Sequence, residues 1–125
     1  MMEINLNKTI AVVGASNNEE KYGYKIVHVL KAKGIKVFPV NPKAECVQGL
    51  KPYASLKDLP ERPDVINFVV PPEVTLQVLD EVKELGFDNV WFQPGSFDEK
   101  VIEKARSYGL NYEDDSCLLV VGRGL

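Results

Sequence analysis

The chain has 125 residues, of which 45% are hydrophobic and 26% charged, as is ordinary for a single globular domain over residues 1–125. Fifteen Lys and Arg residues against eighteen Asp and Glu give a net charge of −3, which argues against a nucleic-acid partner. The sequence shows no signal-peptide pattern, no apolar run long enough to cross a membrane and no Cys/His cluster for a metal. We therefore expect a cytoplasmic protein without a membrane partner, in which Cys46 and Cys117 stay reduced.

Five apolar segments predict the strands of a sheet. The first four are rich in β-branched or aromatic residues and lack strict alternation, which is typical of strands covered on both faces. The fifth is weaker and is expected to close the sheet. The segments are TIAVVG (9–14), KVFPVN (36–41), DVINFVV (64–70), NVWFQP (89–94) and LNYEDD (110–115).

Helical patterns fall between these strands. The first helix is expected to end at Gly34, the second to run from Pro72 to Gly86, and the third to be capped by Ser96 in a capping box with Glu99. Residues 116–125 give no clear pattern, and SLKDL (55–59) predicts one short helical turn. The predicted buried faces are Ile26, Val27 and Leu30; Val74, Val78, Val82 and Leu85; and Val101, Ile102, Ala105 and Tyr108.

The alternation of strands and helices predicts an α/β fold of Rossmann-like type. We expect three layers, with a parallel sheet of about five strands in the order 3-2-1-4-5 and helices on both faces. In such a sheet, ligands bind at the carboxyl ends of the strands, beside the point where the strand order reverses. Candidate site residues are therefore those that directly follow each strand.

The segment after the first strand, Gly14-Ala15-Ser16, resembles a phosphate loop but lacks the dinucleotide fingerprint. That fingerprint would place glycines at positions 16 and 19, where this chain has Ser16 and Glu19. Gly14 suits a sharp exit from the strand, and a helix that begins near Tyr22-Gly23 would direct its positive end at an anion. One alternative is that the glycines serve only turn and packing geometry.

The second strand ends in Asn41, at the position where NAD-binding domains normally carry an acidic residue for the ribose hydroxyls. Lys43 follows closely and offers an ammonium group for an additional ribose phosphate. Two ligands fit this pattern, namely NADP with its 2′-phosphate and coenzyme A with its 3′-phosphate. Pro71 and Pro72, after the third strand, could flank a flat ring, and Gln93, after the fourth, could bind an amide.

The sequence resembles the small stand-alone coenzyme A-binding proteins, whose domain is similar to the coenzyme A-binding domain of the succinyl-coenzyme A synthetase alpha subunit. The matching pieces are VVGAS, KYGYKI, VFPVNPK, GLKPYASLKDLP, DVINFVVPPE and VWFQPGS. The resemblance implies that Gly14, Ala15, Ser16, Tyr22 and Gly23 meet the diphosphate, and that Val40, Asn41, Pro42 and Lys43 surround the ribose and its 3′-phosphate. It also implies that Val70, Pro71 and Pro72 pack near the adenosine, while Gln93, Pro94 and Gly95 line the route to the thiol.

Two departures from that family limit what is carried over. The synthetase bears its phosphorylated histidine on a longer chain, whereas the single histidine here, His28, falls in the middle of a predicted helix. The final strand of the family often has a basic residue just before its cysteine, whereas this chain has DDSC, with Asp114 and Asp115, so a ligand contact from the last segment is in doubt. We expect a non-enzymatic module that binds coenzyme A or an acyl-coenzyme A, as carrier or regulator, with an acyltransferase as a conceivable partner. The alternative is an NADP-dependent oxidoreductase.

Overall fold

The computed structural model describes residues 4–125, so the first three residues of the predicted 1–125 domain lie outside the described range. The strands are Thr9–Val13 (β1), Lys36–Val40 (β2), Val65–Phe68 (β3), Asn89–Phe92 (β4) and Asn111–Glu113 (β5). The helices are Tyr22–Ala32 (α1), Pro72–Leu85 (α2), Glu99–Ser107 (α3) and Leu118–Arg123 (α4), with a 3-10 turn at Leu56–Asp58. Every predicted strand and helix is confirmed, and the unassigned tail forms α4.

All strand pairs are parallel, and the predicted strand order is wrong. The sheet runs β2-β1-β3-β4-β5, so β1 pairs with both β2 and β3. The segment between β2 and β3 carries the chain past β1 rather than outward beyond β2. This leaves β2 at the edge, where Lys36 is exposed, and places β3 inside the sheet, where all four of its residues are buried.

Two apolar layers cover the sheet, which confirms the three-layer α/β architecture. Ile10 and Val12 of β1 point towards α1 and α4, whereas Ala11 and Val13 point towards α2 and α3. Trp91 and Phe92 of β4 divide in the same way between the two layers, and both are fully buried. None of the helices within residues 4–125 combines the length and apolar character needed to span a membrane.

Two details of the predicted helices are wrong. In α2 the buried residues are Thr75, Leu79 and Val82, while Val74 and Leu85 are exposed. The N-cap of α3 is Asp98, whose side chain accepts a hydrogen bond from the Val101 N–H at 3.0 Å. Ser96 is buried instead, and its hydroxyl donates to the Gln93 carbonyl at 2.7 Å.

Candidate functional site

A cleft of about 720 Å³ opens at the carboxyl ends of β1, β2 and β3. Its volume lies within the roughly 300–1,000 Å³ that is usual for sites of small ligands. Because β1 lies between β2 and β3, the segments that leave these three strands meet around one opening. The lining residues are Val13, Gly14, Ala15, Ser16, Glu20, Lys21, Tyr22, Gly23, Val40, Asn41, Pro42, Lys43, Ala54, Val69, Val70, Pro71, Val74 and Val78.

The floor of the cleft is formed where β1 ends and α1 begins. Gly14 has a φ of +99°, and a Cβ at this residue would lie 2.8 Å from methyl groups of Val69 and Val70. A Cβ on Gly23 would lie 2.1 Å from the Gly14 carbonyl oxygen. The first turn of α1 therefore packs directly on the backbone that follows β1. Gly14 is required by its positive φ and by its valine neighbours, and Gly23 by the closeness of the Gly14 carbonyl.

The loop between Gly14 and α1 is held by short local hydrogen bonds. The Ser16 Oγ accepts from the Asn18 N–H at 3.0 Å, and the Asn18 Oδ1 accepts from the Glu20 N–H at 3.0 Å. The hydroxyl hydrogen of Ser16 remains a donor for a ligand. The N-cap residue of α1, Lys21, makes no side-chain capping bond, and the first turn holds no acidic residue. This helix end therefore presents its positive dipole to the cleft.

The end of β2 supplies a cation, Lys43, and a hydrogen-bonded amide, Asn41. Lys43 is exposed and lines the cleft. Asn41 is only partly exposed, and both ends of its amide are engaged by backbone groups. Its Nδ2 donates to the Ala15 carbonyl at 2.8 Å, and its Oδ1 accepts from the Lys43 N–H at 2.9 Å. The position that would carry a carboxylate in an NAD site thus holds an amide bonded to the protein.

The wall opposite α1 is aliphatic. It is formed by Val69, Val70 and Pro71 after β3 and by Val74 and Val78 of α2. Pro72 is the first residue of α2, a position that suits proline, and it is not among the lining residues. Such a wall provides dispersion contacts for a flat ring beside the polar loop.

The segment after β4 does not reach the cleft. The side chain of Gln93 is fully buried, where its Nε2 donates to the Asn67 Oδ1 at 2.6 Å and its Oε1 accepts from the Leu118 N–H at 3.0 Å. Pro94 and Gly95 are exposed outside the cleft lining. The structure therefore brings together the predicted residues from the first three strand ends and leaves out Pro72, Gln93, Pro94 and Gly95. A ligand contact by these four residues stays a prediction.

Sequence reasoning missed several lining residues. Glu20 and Lys21 lie just before α1, and Lys21 is a second cation in the lining of the cleft, after Lys43. A signal for Lys21 was available, since it immediately precedes the predicted helix start. The remaining missed residues are apolar. Val13 and Val69 lie next to predicted positions, Ala54 lies in the segment between β2 and β3, and Val74 and Val78 lie on α2, where an outward valine resembles an inward one in sequence.

The resolved pKa shifts lie away from the cleft, between α2 and α3. Hydrogen bonds from Lys104 at 2.8 Å and from Tyr108 at 2.5 Å hold the pKa of Asp80 below its usual value. The same carboxylate raises the pKa of Tyr108. These three side chains join two helices, and we interpret them as structural.

The remaining reactive side chains also lie outside the cleft lining. His28 is exposed on α1, as expected, and stacks on Tyr24. Cys46 is exposed, Cys117 is partly buried, and both thiols are free. Cys117 packs against the core layer of α1 and α4, as a small hydrophobic residue does.

Comparison with known proteins identifies the family to which the chain is similar. A family model described as a CoA binding domain matches residues 8–123. The chain is 37% identical over 120 residues to the alpha subunit of an ADP-forming acetate–CoA ligase II from Pyrococcus furiosus, covering 87% of this chain and 26% of that protein. It is 32% identical over 123 residues to an ADP-forming acetate–CoA ligase from Methanocaldococcus jannaschii, covering 92% of this chain and 18% of that protein. The chain thus spans about a quarter or less of these two relatives.

A solved structure of similar length has the same fold. A conserved hypothetical protein from Pyrococcus furiosus is 46% identical, with a TM-score of 0.87, and the match covers 91% of this chain and 98% of that one. This agreement confirms the Rossmann-like fold. Coenzyme A is the ligand to which the matching family points.

Proposed function

The chain belongs to the family of CoA binding domains, and on that premise we propose that it binds coenzyme A, free or acylated, along this cleft. The observation that carries the proposal is the joint placement of two phosphate-binding features. The phosphate loop at Gly14–Ser16 and the ammonium of Lys43 line one opening, and an amide replaces the ribose-binding carboxylate of an NAD site. A nucleotide with both a diphosphate and a ribose phosphate matches this arrangement.

In this proposal each part of the ligand has its own contacts. The diphosphate lies on the loop of Ala15 and Ser16 and on the first turn of α1, at Tyr22 and Gly23. The 3′-phosphate meets Lys43, and the adenosine packs on the aliphatic wall near Val70. The pantetheine arm then leaves the cleft towards the surface that carries Pro94 and Gly95.

We propose that the domain performs no chemistry on its ligand. Its ionisable lining residues, within the part of the chain that the structure describes, are Glu20, Lys21, Tyr22 and Lys43, which do not form a nucleophile–base pair of the usual kind. The two named ligases are several times longer than the matched region, which leaves most of each enzyme outside it. A carrier or regulatory role agrees with this comparison.

Isothermal titration with coenzyme A, dephospho-coenzyme A, NAD and NADP tests the proposal. Coenzyme A should bind most tightly, and Lys43→Ala should weaken it by about 10- to 100-fold, the range for losing a charge-assisted hydrogen bond. Dephospho-coenzyme A, which lacks the 3′-phosphate, should be affected little. Lys100→Ala removes an exposed lysine of α3 outside the cleft and serves as the matched control. Equal affinity for all four ligands, or no binding, would reject the proposal.

The NADP-dependent oxidoreductase is the alternative, because Lys43 could also meet a 2′-phosphate. That activity requires a nicotinamide site and a proton donor in addition to the phosphate contacts. NADPH fluorescence separates the two functions. An increase in NADPH fluorescence on adding the protein, which added coenzyme A does not reverse, would favour the oxidoreductase.

We further propose that the loaded domain acts in the cytoplasm on a separate enzyme of acyltransferase type. The acyltransferase type is what the family resemblance suggests, and the comparisons add that two relatives carry the matching region within larger acetate–CoA ligases. Affinity capture with and without added coenzyme A tests this proposal. Recovery of the same proteins under both conditions would contradict a ligand-dependent partner.

A further inference from the structure

Asn41 connects the two phosphate-binding features of the cleft. Its Nδ2 donates to the carbonyl of Ala15, within the phosphate loop, and its Oδ1 accepts from the N–H of Lys43. One amide therefore links the loop after β1 to the backbone of Lys43. With its oxygen and one amide hydrogen bonded to the backbone, this side chain is oriented by the protein rather than by a ligand.

A second asparagine makes a parallel connection further along the same loops. The Nδ2 of Asn17 donates to the Cys46 carbonyl at 2.6 Å, and its Oδ1 accepts from the Gln48 N–H at 3.0 Å. The loop after β1 and the loop after β2 are thus joined at two points, on either side of Lys43. These hydrogen bonds join the two loops through groups of the protein itself.

The backbone of Asn41 is fixed independently of its side chain. Its N–H donates to the Tyr53 carbonyl at 2.9 Å, and the Tyr53 N–H donates to the Pro39 carbonyl at 2.9 Å. Truncating the amide should therefore leave the end of β2 in place. What it removes is the link from that strand end to Ala15 and Lys43.

We infer that Asn41 is a positioning residue, which sets the location of Lys43 relative to the phosphate loop and thereby determines the preference for a 3′-phosphorylated ligand. This inference rests on the proposed function. It replaces the expected role of Asn41, a contact with the ribose of the ligand, by the positioning of Lys43. The bond orders the backbone from which the exposed Lys43 side chain extends, and a cation on an ordered backbone costs less free energy to place on binding than one on a mobile loop. A ligand with both phosphate groups gains from this arrangement, and one without the 3′-phosphate does not.

The same geometry explains why the acidic residue of an NAD site does not fit here. With an Asp at position 41, one carboxylate oxygen could still accept from the Lys43 N–H. The other would face the Ala15 carbonyl oxygen at the position now held by the Nδ2, 2.8 Å away, so that two acceptors would meet. The strand end would lose its link to the loop and gain a negative charge beside the phosphates.

The test compares Asn41→Ala, Lys43→Ala and the double variant, using titration with coenzyme A and dephospho-coenzyme A. Asn41→Ala should weaken coenzyme A by about tenfold and dephospho-coenzyme A by less than about threefold, and the double variant should match Lys43→Ala. Asn89→Ala is the matched control, since its Nδ2 also donates to a backbone carbonyl, that of Asp64, outside the cleft. Equal weakening of both ligands by Asn41→Ala, or additive effects in the double variant, would overturn the inference.

Further variants keep the inference open to refutation. If Asn41→Ala does not fold, Asn41→Ser provides the same comparison with one donor retained. Asn41→Asp should weaken coenzyme A binding without increasing the affinity for NAD. Tighter NAD binding would mean that the side chain at position 41 faces the ligand, and would overturn the positioning role of Asn41. Absence of coenzyme A binding to the wild-type protein would instead reject the proposed function itself.

Discussion

At Gly23 the absence of a Cβ allows the first turn of α1 to pack against the end of β1, and both the fold and the cleft depend on that contact. An alanine there would place its Cβ 2.1 Å from the Gly14 carbonyl oxygen, whereas real Cβ atoms essentially never approach within 3.0 Å of such a neighbour. The first turn of α1 and the exit of β1 would have to separate by about 0.9 Å, the difference between those two distances. Because both partners are backbone, no side-chain rotation relieves the contact.

Two opposing effects determine how much the free energy of unfolding decreases in Gly23→Ala. Alanine favours the helix over glycine by about 1 kcal/mol, whereas overpacking of a tight contact costs about 1–3 kcal/mol and more when backbone must move. We expect the steric effect to dominate, with a net loss of about 2 kcal/mol and a decrease in Tm of about 6–10 °C. Coenzyme A affinity should fall as well, since the displaced carbonyl belongs to the phosphate loop.

Urea and thermal unfolding of three alanine variants test this reasoning. Gly122→Ala brings a Cβ to 2.9 Å from a Val29 methyl group, which can adjust, while Gly124→Ala meets nothing closer than 3.5 Å and has a φ of −82°. The expected loss of stability is largest for Gly23→Ala, smaller for Gly122→Ala and negligible for Gly124→Ala. A Gly23→Ala protein as stable as the wild type would refute the steric argument.

Two further predictions concern polar contacts outside the cleft. Lys104 and Tyr108 hold the pKa of Asp80 below 3.8, so the stability that Asp80 contributes is present above about pH 3.8 and is lost as the pH falls through the folded-state pKa. Asp80 raises the pKa of Tyr108 above 10.0, so the stability that Tyr108 contributes is lost as the pH rises above that value. Asp80→Asn should therefore reduce the pH dependence of the free energy of unfolding at both the acidic and the alkaline end. An unchanged pH dependence would contradict this. Gln93→Leu should cost about 2–4 kcal/mol in urea unfolding, because it leaves the Asn67 Oδ1 and an N–H of α4 unpaired in the core. Amide exchange should then accelerate in residues 117–123, and unaltered exchange there would argue against this anchoring role.

The identity of the strands was predictable from local composition, and the sequence also holds a signal for the edge position of β2. Pro39 is the fourth of the five residues of β2 and has no N–H to donate. Its carbonyl accepts from Tyr53, while the Val40 carbonyl accepts from Gly14 on the β1 side. Proline within a sheet is essentially confined to edge strands, so Pro39 favoured β2 at the edge. The predicted order 3-2-1-4-5 placed β2 inside the sheet and left this signal unused.

Other features were beyond what sequence patterns contain. Helix α4 has six residues, too few for a helical period to be recognised against a buried strand. The positioning role of Asn41 depends on where the Ala15 carbonyl points, and these residues are 26 positions apart. Ser96 and Asp98 both precede α3 and both suit an N-cap, so only the backbone path decides between them.

The strand order also accounts for the part of the site that the cleft leaves out. In the order 3-2-1-4-5 the reversal lies between β1 and β4, and the residues after β4 would stand beside the phosphate loop. In the observed order β3 is the neighbour of β1, so Val69 and Val70 take that place and contact the position of the missing Gly14 Cβ. Gln93 is moved one strand further away, where burial directs its amide to Asn67 and α4. The phosphate loop and Lys43 are unaffected, because β1 and β2 are neighbours in both orders. The Gly14–Ser16 loop and Lys43, to which we assign the diphosphate and the 3′-phosphate, are therefore brought together by the pairing of β1 with β2, which both strand orders contain.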